Sequence, residues 1–373
     1  MKNYTAADVL KIAKRHNNNK RAYLLVNPLQ GKHIPTSPNS ALEMMKTLGE
    51  KISKKYSAAN LVIGFAETAT AIGAMVAASL NENCIYIQTT RENFDGGNFI
   101  EFLEEHSHAP QQKLYAENLC KWIDETPAII FVDDELSTGK TLRNMIRQFK
   151  IEFPNLNGKK LVAASIINRL TAENEKLLEL DGIACEYLVK LDEENFDVSA
   201  VETAAPQILN FTDVSLKKIS FHKINFPQNP RFGVHIHEYI KNLEKIGGEI
   251  SNLIQNAEKI LVLGTEESML PAIITGKILE SNGAKVFTHS TTRSPIGIGN
   301  QKNYPIVEGY QLKSFYDAER VTFIYNLDYY DAILIISDTE NFQIDAVKNL
   351  VAALNIHGGE KIIFVGGNNV QHL

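Results

Sequence analysis

Hydrophobic positions along the chain fall into two alternating rhythms. Short apolar, β-branched runs read as strands: "AYLLVN" (22–27), "NLVIGF" (60–65), "CIYIQTT" (84–90), "AIIFVD" (128–133) and "KLVAASII" (160–167). Between them, apolar residues recur at helical spacing. "NSALEMMKTLGEKI" (39–52) reads as a helix capped by Asn39 or Ser40; Ile72, Met75, Val76 and Leu80 form a second stripe, and Leu142, Met145, Ile146 and Phe149 a third. Strands alternating with helices predict βαβ units and a mostly parallel sheet, an α/β fold. Around residues 190–230 the rhythm breaks into acidic, Asn- and Pro-punctuated sequence. A domain boundary is placed there, giving domains 1–205 and 215–373.

The second half repeats the first. "LVIGFAETATAIGAMVAASL" has a counterpart in "ILVLGTEESMLPAIITGKIL", with Gly64 on Gly264, Glu67 on Glu267 and Thr68 on Ser268. The Thr-Thr-Arg of 89–91 recurs at 291–293, and "AIIFVDDELSTGKT" faces "AILIISDTENFQID". There the apolar strand survives, Ser337 replaces the first aspartate, Asp338 remains, and the glycine loop is gone. The second domain therefore reads as a degenerate α/β repeat of the first.

Composition narrows the class without naming a function. The 373 residues are 44% hydrophobic and 22% charged, enough apolar material for two cores. A net charge of −6 offers no global attraction to nucleic acid or to an anionic membrane, and no basic DNA-binding segment is visible. The three cysteines are far apart, give no zinc spacing and suit a reducing compartment. No apolar run reaches membrane-spanning length and no leader is evident at the N-terminus. The expectation is a soluble, cytoplasmic protein.

The densest chemistry lies in "AIIFVDDELSTGKTLRNMI" (128–146). Gly139, Lys140 and Thr141 end like a nucleotide-hydrolase phosphate loop, G-x-x-x-x-G-K-[ST]. The leading glycine of that loop would be residue 134, which is an aspartate, so the match fails. The segment reads instead as a buried strand, two carboxylates at its carboxyl end, and a helix starting after the glycine. Free N–H groups at that helix start, with the Ser137, Thr138 and Thr141 hydroxyls, suit a phosphate. Asp133 and Asp134 cannot touch phosphate but can accept hydrogen bonds from two sugar hydroxyls. A diol beside a phosphate is a ribose 5-phosphate.

That order of residues, apolar strand, acidic pair, two residues, then S-T-G-x-T, resembles the phosphoribosyl pyrophosphate (PRPP) loop of type I phosphoribosyltransferases. The whole chain resembles a two-domain group: an orotate-phosphoribosyltransferase-like domain followed by a domain named for a T-R-S-P motif. Here that motif is Thr292-Arg293-Ser294-Pro295. "NPLQGKHIP", "GFAETATA", "TTRE", "EEHSHA" and "DDELSTGKT" carry the resemblance in the first domain.

The resemblance implies a Rossmann-like parallel sheet and Mg2+-dependent transfer of ribose phosphate from PRPP to a nucleobase-like acceptor, or the reverse. It implies that Asp133 and Asp134 hold the ribose diol and bear indirectly on Mg2+, while Ser137, Thr138, Gly139, Lys140 and Thr141 hold the 5-phosphate. Pyrophosphate would sit on the turn at Ala66, Glu67 and Thr68, clamped by Arg91. Glu67 reads either as a contact to Mg2+ or its waters, or as a first-turn glutamate complementing the helix dipole. About twenty residues after Arg91, with Gly96 and Gly97, fit a mobile lid carrying His106 and His108. Lys32 and His33 correspond to a hood that contacts the acceptor. Ser137 replaces the carboxylate of hypoxanthine-type enzymes, which disfavours a 6-oxopurine.

The group is associated with tellurium-resistance neighbourhoods and synthesis of a nucleoside-like metabolite, and its relatives form homodimers. In the second domain the repeat predicts a ligand edge at Glu267, Ser268, Thr292 and Arg293. A PRPP- or nucleotide-sensing regulator that has lost turnover is the competing function.

Overall fold

The computed structural model describes residues 2–18, 21–94, 96–102, 112–192, 196–217, 219–254, 256–340 and 343–367. The chain opens with α1 (Ala6–Val9), β1 (Lys11–Lys14), β2 (Tyr23–Val26), α2 (Pro38–Tyr56), β3 (Leu61–Gly64), α3 (Thr70–Ala77) and β4 (Ile85–Gln88). There follow β5 (Phe99–Phe102), β6 (Gln112–Tyr115), α4 (Leu119–Glu125), β7 (Ala128–Leu136), α5 (Lys140–Glu152), β8 (Lys160–Asn168), α6 (Ala172–Leu180) and β9 (Ile183–Lys190). After β10 (Gln207–Ile208), β11 (Ile219–Lys223) and β12 (Val234–His235) come α7 (Ile236–Ser251), β13 (Lys259–Gly264), α8 (Leu270–Ser281) and β14 (Lys285–Ser290). The chain ends with β15 (Gly309–Lys313), β16 (Val321–Tyr325), β17 (Tyr330–Ile336), α9 (Ile344–His357) and β18 (Gly359–Gly366).

These elements group into two compact units. The first comprises Met1–Ala6, Glu43–Asn195 and Gln228–Lys241; the second comprises Ala7–Leu42, Phe196–Pro227 and Asn242–Leu373. The grouping crosses the linear division read from the sequence twice, because 7–42 joins the second unit and 228–241 joins the first.

The first unit is built on a six-stranded sheet in the order β12-β4-β3-β7-β8-β9. All neighbours are parallel except β12, which pairs antiparallel with β4. Residues 61–64, 85–88 and 128–132 are buried on both faces, as a continuous apolar run in a covered parallel sheet requires. Helix α5 buries Leu142, Met145, Ile146 and Phe149, the stripe expected from its spacing. Helix α2 starts at Pro38 rather than after Asn39, with the Ser37 hydroxyl accepting from the Ser40 N–H at 3.3 Å.

The second unit has a five-stranded, all-parallel sheet in the order β11-β18-β17-β13-β14. Alternate residues of β13 face opposite cores. Leu261 and Leu263 pack with Val347, Leu350 and Leu354 of α9, whereas Ile260 and Val262 pack with Ile246, Ile250, Ala272 and Leu279 of α7 and α8. A smaller sheet, β10-β15-β16, and the β1–β2 hairpin complete the unit.

The predicted repeat is present in three dimensions. The order β4-β3-β7-β8 in the first unit is matched by β14-β13-β17-β18 in the second, with α3 and α8, then α5 and α9, as connections. Along the chain an antiparallel strand pair lies between β4 and β7 in one unit, β5–β6, and between β14 and β17 in the other, β15–β16. Among the described residues no helix is long and apolar enough to cross a membrane.

Candidate functional site

At the carboxyl end of β7 the backbone register runs past the apolar core into charge. Asp133 and Asp134 emerge half-buried beyond Val132, which pairs with Gly64 of β3. The Asp134 N–H donates to Asp133 Oδ1 at 2.9 Å. Burial pushes the Asp133 carboxyl well above its ordinary range, and the neighbouring Asp134 charge adds to it. Burial also raises Asp134, against the hydrogen bond it receives from Thr68. Two such carboxylates attract hydrogen-bond donors or a cation.

The turn that follows is open. Ser137 and Gly139 are half-buried, and Thr138, Lys140 and Thr141 are exposed. Gly139 precedes α5 at φ 68°, a left-handed conformation, and a β-carbon there would stand 3.0 Å from Leu178 Cδ1. Gly139→Ala is therefore expected to cost about 1–2 kcal/mol in thermal unfolding and to disturb the first turn of α5. An unchanged melting curve would mean that the turn relaxes freely. Gly139 has no side chain to cap α5, and the Lys140 N–H donates to Thr138 Oγ1 at a long 3.4 Å. Behind the turn, Arg169 at 8% exposure pairs through Nε with Glu135, fixing the strand end that carries the two aspartates.

The turn between β3 and α3 joins this edge. Thr68 Oγ1 donates to Asp134 Oδ1 at 2.7 Å, so the predicted pyrophosphate turn and the acidic pair are in direct contact. The Ala66–Glu67 peptide bond is cis. The Ala66 N–H donates to Thr89 Oγ1 at 2.8 Å, and Thr89 in turn donates to Gln112 Oε1 at 2.7 Å. Arg91 lies half-buried just beyond, past a bridge between Thr90 and Lys113. Ala66, Glu67, Thr68, Arg91, Asp133 and Asp134 are thus carried by the carboxyl ends of neighbouring strands β4, β3 and β7, the usual ligand edge of an open α/β sheet. His106 and His108 lie outside the described residues.

Lys32 and His33 are the residues expected to contact the acceptor. They belong to the second unit and are 0% and 1% exposed. Lys32 Nζ donates to Glu266 O at 2.6 Å, Thr291 O at 2.9 Å and Ser290 Oγ at 3.4 Å. Its three donors face three oxygens of its own unit, so the expected acceptor contact is corrected to a buried structural ammonium.

The second unit reproduces the skeleton of the first turn. Thr89 N donates to Gly64 O at 2.9 Å, and Thr291 N to Gly264 O at 3.2 Å. Ala66 N bonds Thr89 Oγ1 at 2.8 Å as Glu266 N bonds Thr291 Oγ1 at 3.0 Å. Thr90 bridges Lys113 as Thr292 bridges Phe323. Yet Glu267, Ser268 and Thr292 are 1%, 5% and 0% exposed, and Arg293 donates through Nε to Glu266 at 3.1 Å and through Nη2 to Glu267 at 3.3 Å. The expected ligand edge is closed onto itself.

A second, shorter motif is also repeated. Asn27-Pro28-x-x-Gly31-x-His33-Ile34 recurs as Asn229-Pro230-x-x-Gly233-x-His235-Ile236. Leu29 N donates to Asn27 Oδ1 at 2.9 Å and Arg231 N to Asn229 Oδ1 at 3.0 Å, with Gly31 and Gly233 at φ 72° and 82°. The first copy belongs to the second unit and the second copy to the first. In the first unit it places buried Arg231 over the Phe94 ring and Phe232 against Phe94 and Tyr115, with ring centroids 5.2 and 5.0 Å apart.

Residues 9–191 match the family described as phosphoribosyl transferase, and residues 228–354 match the TRSP domain that follows it C-terminally. No curated protein matches the chain. Among solved structures it is similar to adenine phosphoribosyl transferase from Trypanosoma brucei in complex with AMP, pyrophosphate and ribose-5-phosphate. The identity is 14%, covering 52% of this chain and 83% of that one, with a TM-score of 0.37. Adenine phosphoribosyltransferase from Giardia lamblia with 9-deazaadenine gives 14%, 50% and 97%, and 0.36. Orotate phosphoribosyltransferase from Mycobacterium tuberculosis with inorganic phosphate gives 10%, 50% and 90%, and 0.31.

Proposed function

We propose, for a chain that is a phosphoribosyl transferase over residues 9–191 with a TRSP domain over 228–354, that the first unit transfers ribose 5-phosphate from PRPP to a nucleobase-like acceptor, or runs the reverse reaction. The observation that carries this is the single edge on which the acidic pair, the open Gly139 turn and the Thr68 turn meet, joined by the Thr68–Asp134 hydrogen bond.

Each part of PRPP has a complementary surface there. The 5-phosphate fits the N-terminus of α5, where N–H groups and the hydroxyls of Ser137, Thr138 and Thr141 converge. Asp133 and Asp134 accept from the ribose 2- and 3-hydroxyls. Pyrophosphate lies along Ala66, Glu67 and Thr68, with Arg91 as its bidentate partner. As the bond from C1 to pyrophosphate breaks and the bond from C1 to the acceptor nitrogen forms, positive charge grows on the sugar ring. The two carboxylates lie on the ribose side of that charge. The acceptor gives up its proton to solvent or to the departing pyrophosphate.

Among the described residues no group of three or more His, Cys, Asp or Glu side chains could hold a metal by itself. Mg2+ ordinarily takes one or two carboxylates and completes its shell with substrate oxygens and water. The raised, closely spaced pair Asp133 and Asp134 suits such a role, with Glu67 as a further candidate. When bound, Mg2+ would neutralise charge on the leaving pyrophosphate. Holding and orienting PRPP, rather than acid–base chemistry, is then the main contribution of the protein.

The test is release of pyrophosphate from PRPP and Mg2+ on addition of a panel of nucleobases and related heterocycles. Acceptor-dependent release that Arg91→Ala suppresses supports transfer. PRPP binding without release from any acceptor would favour the sensing alternative.

A further inference from the structure

The repeated turn differs between the units at one decisive residue. Where the first unit has Ala66, the second has Glu266, 0% exposed and at φ 45°. Its side chain folds into the turn and meets a full set of donors. Arg293 Nε and Arg320 Nη1 each donate to Oε2 at 3.1 Å; Ser314 Oγ donates to Oε1 at 2.6 Å and the Phe315 N–H at 3.3 Å. Two guanidinium groups, a hydroxyl and a backbone N–H converging on two oxygens are the donor set of an oxyanion site.

The neighbouring ligand positions are altered in the same sense. Ser337 stands where the first unit has Asp133, and its Oγ accepts from Thr265 Oγ1 at 3.0 Å. Asp338, the counterpart of Asp134, accepts from the Tyr316 hydroxyl. An occupant tethered to the turn meets its donors at an effective concentration that a dissolved anion does not match.

We infer that the second unit is a self-ligated counterpart of the first. The Glu266 carboxylate occupies the place of a ligand oxyanion, so this unit binds neither pyrophosphate nor PRPP and performs no transfer. The arginine of the T-R-S-P motif then serves an internal ligand. Removing the carboxylate should uncover a site for a small oxyanion, a monocarboxylate above all, since the methylene and carboxylate lost on truncation to alanine have the size of acetate.

The experiment is chemical rescue of Glu266→Ala by acetate, read as thermal unfolding of the full chain. Without acetate the melting temperature should fall by about 10 °C, because two largely buried guanidinium groups lose the carboxylate they share and keep only Glu267 and Asp317. Acetate should restore at least half of the loss in a saturable manner, leaving the wild type and Glu266→Gln unmoved, since the amide still fills the space. A variant that melts like the wild type, or one that acetate restores no better than Glu266→Gln, overturns the inference.

If Glu266→Ala does not fold, the reciprocal Ala66→Glu decides. It should supply the first unit with its own occupant, lowering affinity for inorganic pyrophosphate at least tenfold with the melting temperature preserved. Unchanged affinity overturns the inference. This arm, and the comparison of Glu266 with a ligand oxyanion, rest on the proposed transferase site. A wild type that binds no pyrophosphate would count against that site, while the rescue result would stand by itself.

Discussion

Asp133→Asn is expected to lower phosphoribosyl transfer by about 10²–10³-fold and, in the same variant, to raise the melting temperature of the ligand-free protein. The first effect follows from losing a carboxylate beside the charge that develops on the ribose. The second follows from its pKa, which burial and the Asp134 charge raise on folding. A carboxyl raised in this way favours the folded chain while protonated. That contribution is complete below the unfolded value, about 3.9, and is lost as pH rises through the folded value. Once ionised, the pair therefore costs stability that an amide does not. A gain of about 1 kcal/mol corresponds to a rise of about 2–4 °C for a unit of this size. The difference between variant and wild type should widen from pH 4 to pH 8, by melting curves across that range. A variant that loses transfer and also melts lower would mean that Asp133 is a structural hydrogen-bond acceptor.

Lys32→Met should destabilise the protein by about 3 kcal/mol while leaving PRPP affinity intact. The buried ammonium holds the carbonyls of Glu266 and Thr291 and the Ser290 hydroxyl. A thioether satisfies none of them, and each buried oxygen left without a donor carries its own penalty. Thermal unfolding beside calorimetric titration with PRPP separates the two roles. An acceptor-contacting lysine would instead give a wild-type melting temperature and a raised KM for the acceptor.

Much of this architecture was legible in the sequence because one residue type at one spacing has one physical use. The stripe Leu142, Met145, Ile146 and Phe149 admits only a helix face, and Asp133 beyond Val132 marks where a buried strand gives way to charge. The repeat was legible through Gly64 with Glu67 and Gly264 with Glu267. Lys32 is expected at the acceptor because its Gly-basic turn resembles a hood, and nothing local signals that three buried oxygens await it. Periodicity reports that a face is buried, not against which part of the chain, so the placement of 7–42 and 228–241 did not follow from it. The two copies of the N-P-x-x-G-x-H-I motif are the sequence signal that accompanies this placement. Residue type does not single out Glu266, because the left-handed turn that directs its side chain inward is not written in the sequence.

The most direct test of the central claim is calorimetric titration of the wild-type chain with PRPP and Mg2+, beside the Asp133→Asn, Asp134→Asn double variant. Saturable binding to the wild type, weakened at least a hundredfold in the double variant, is the predicted result. Equal binding by both proteins, or none by the wild type, would contradict a ribose-phosphate site at the end of β7.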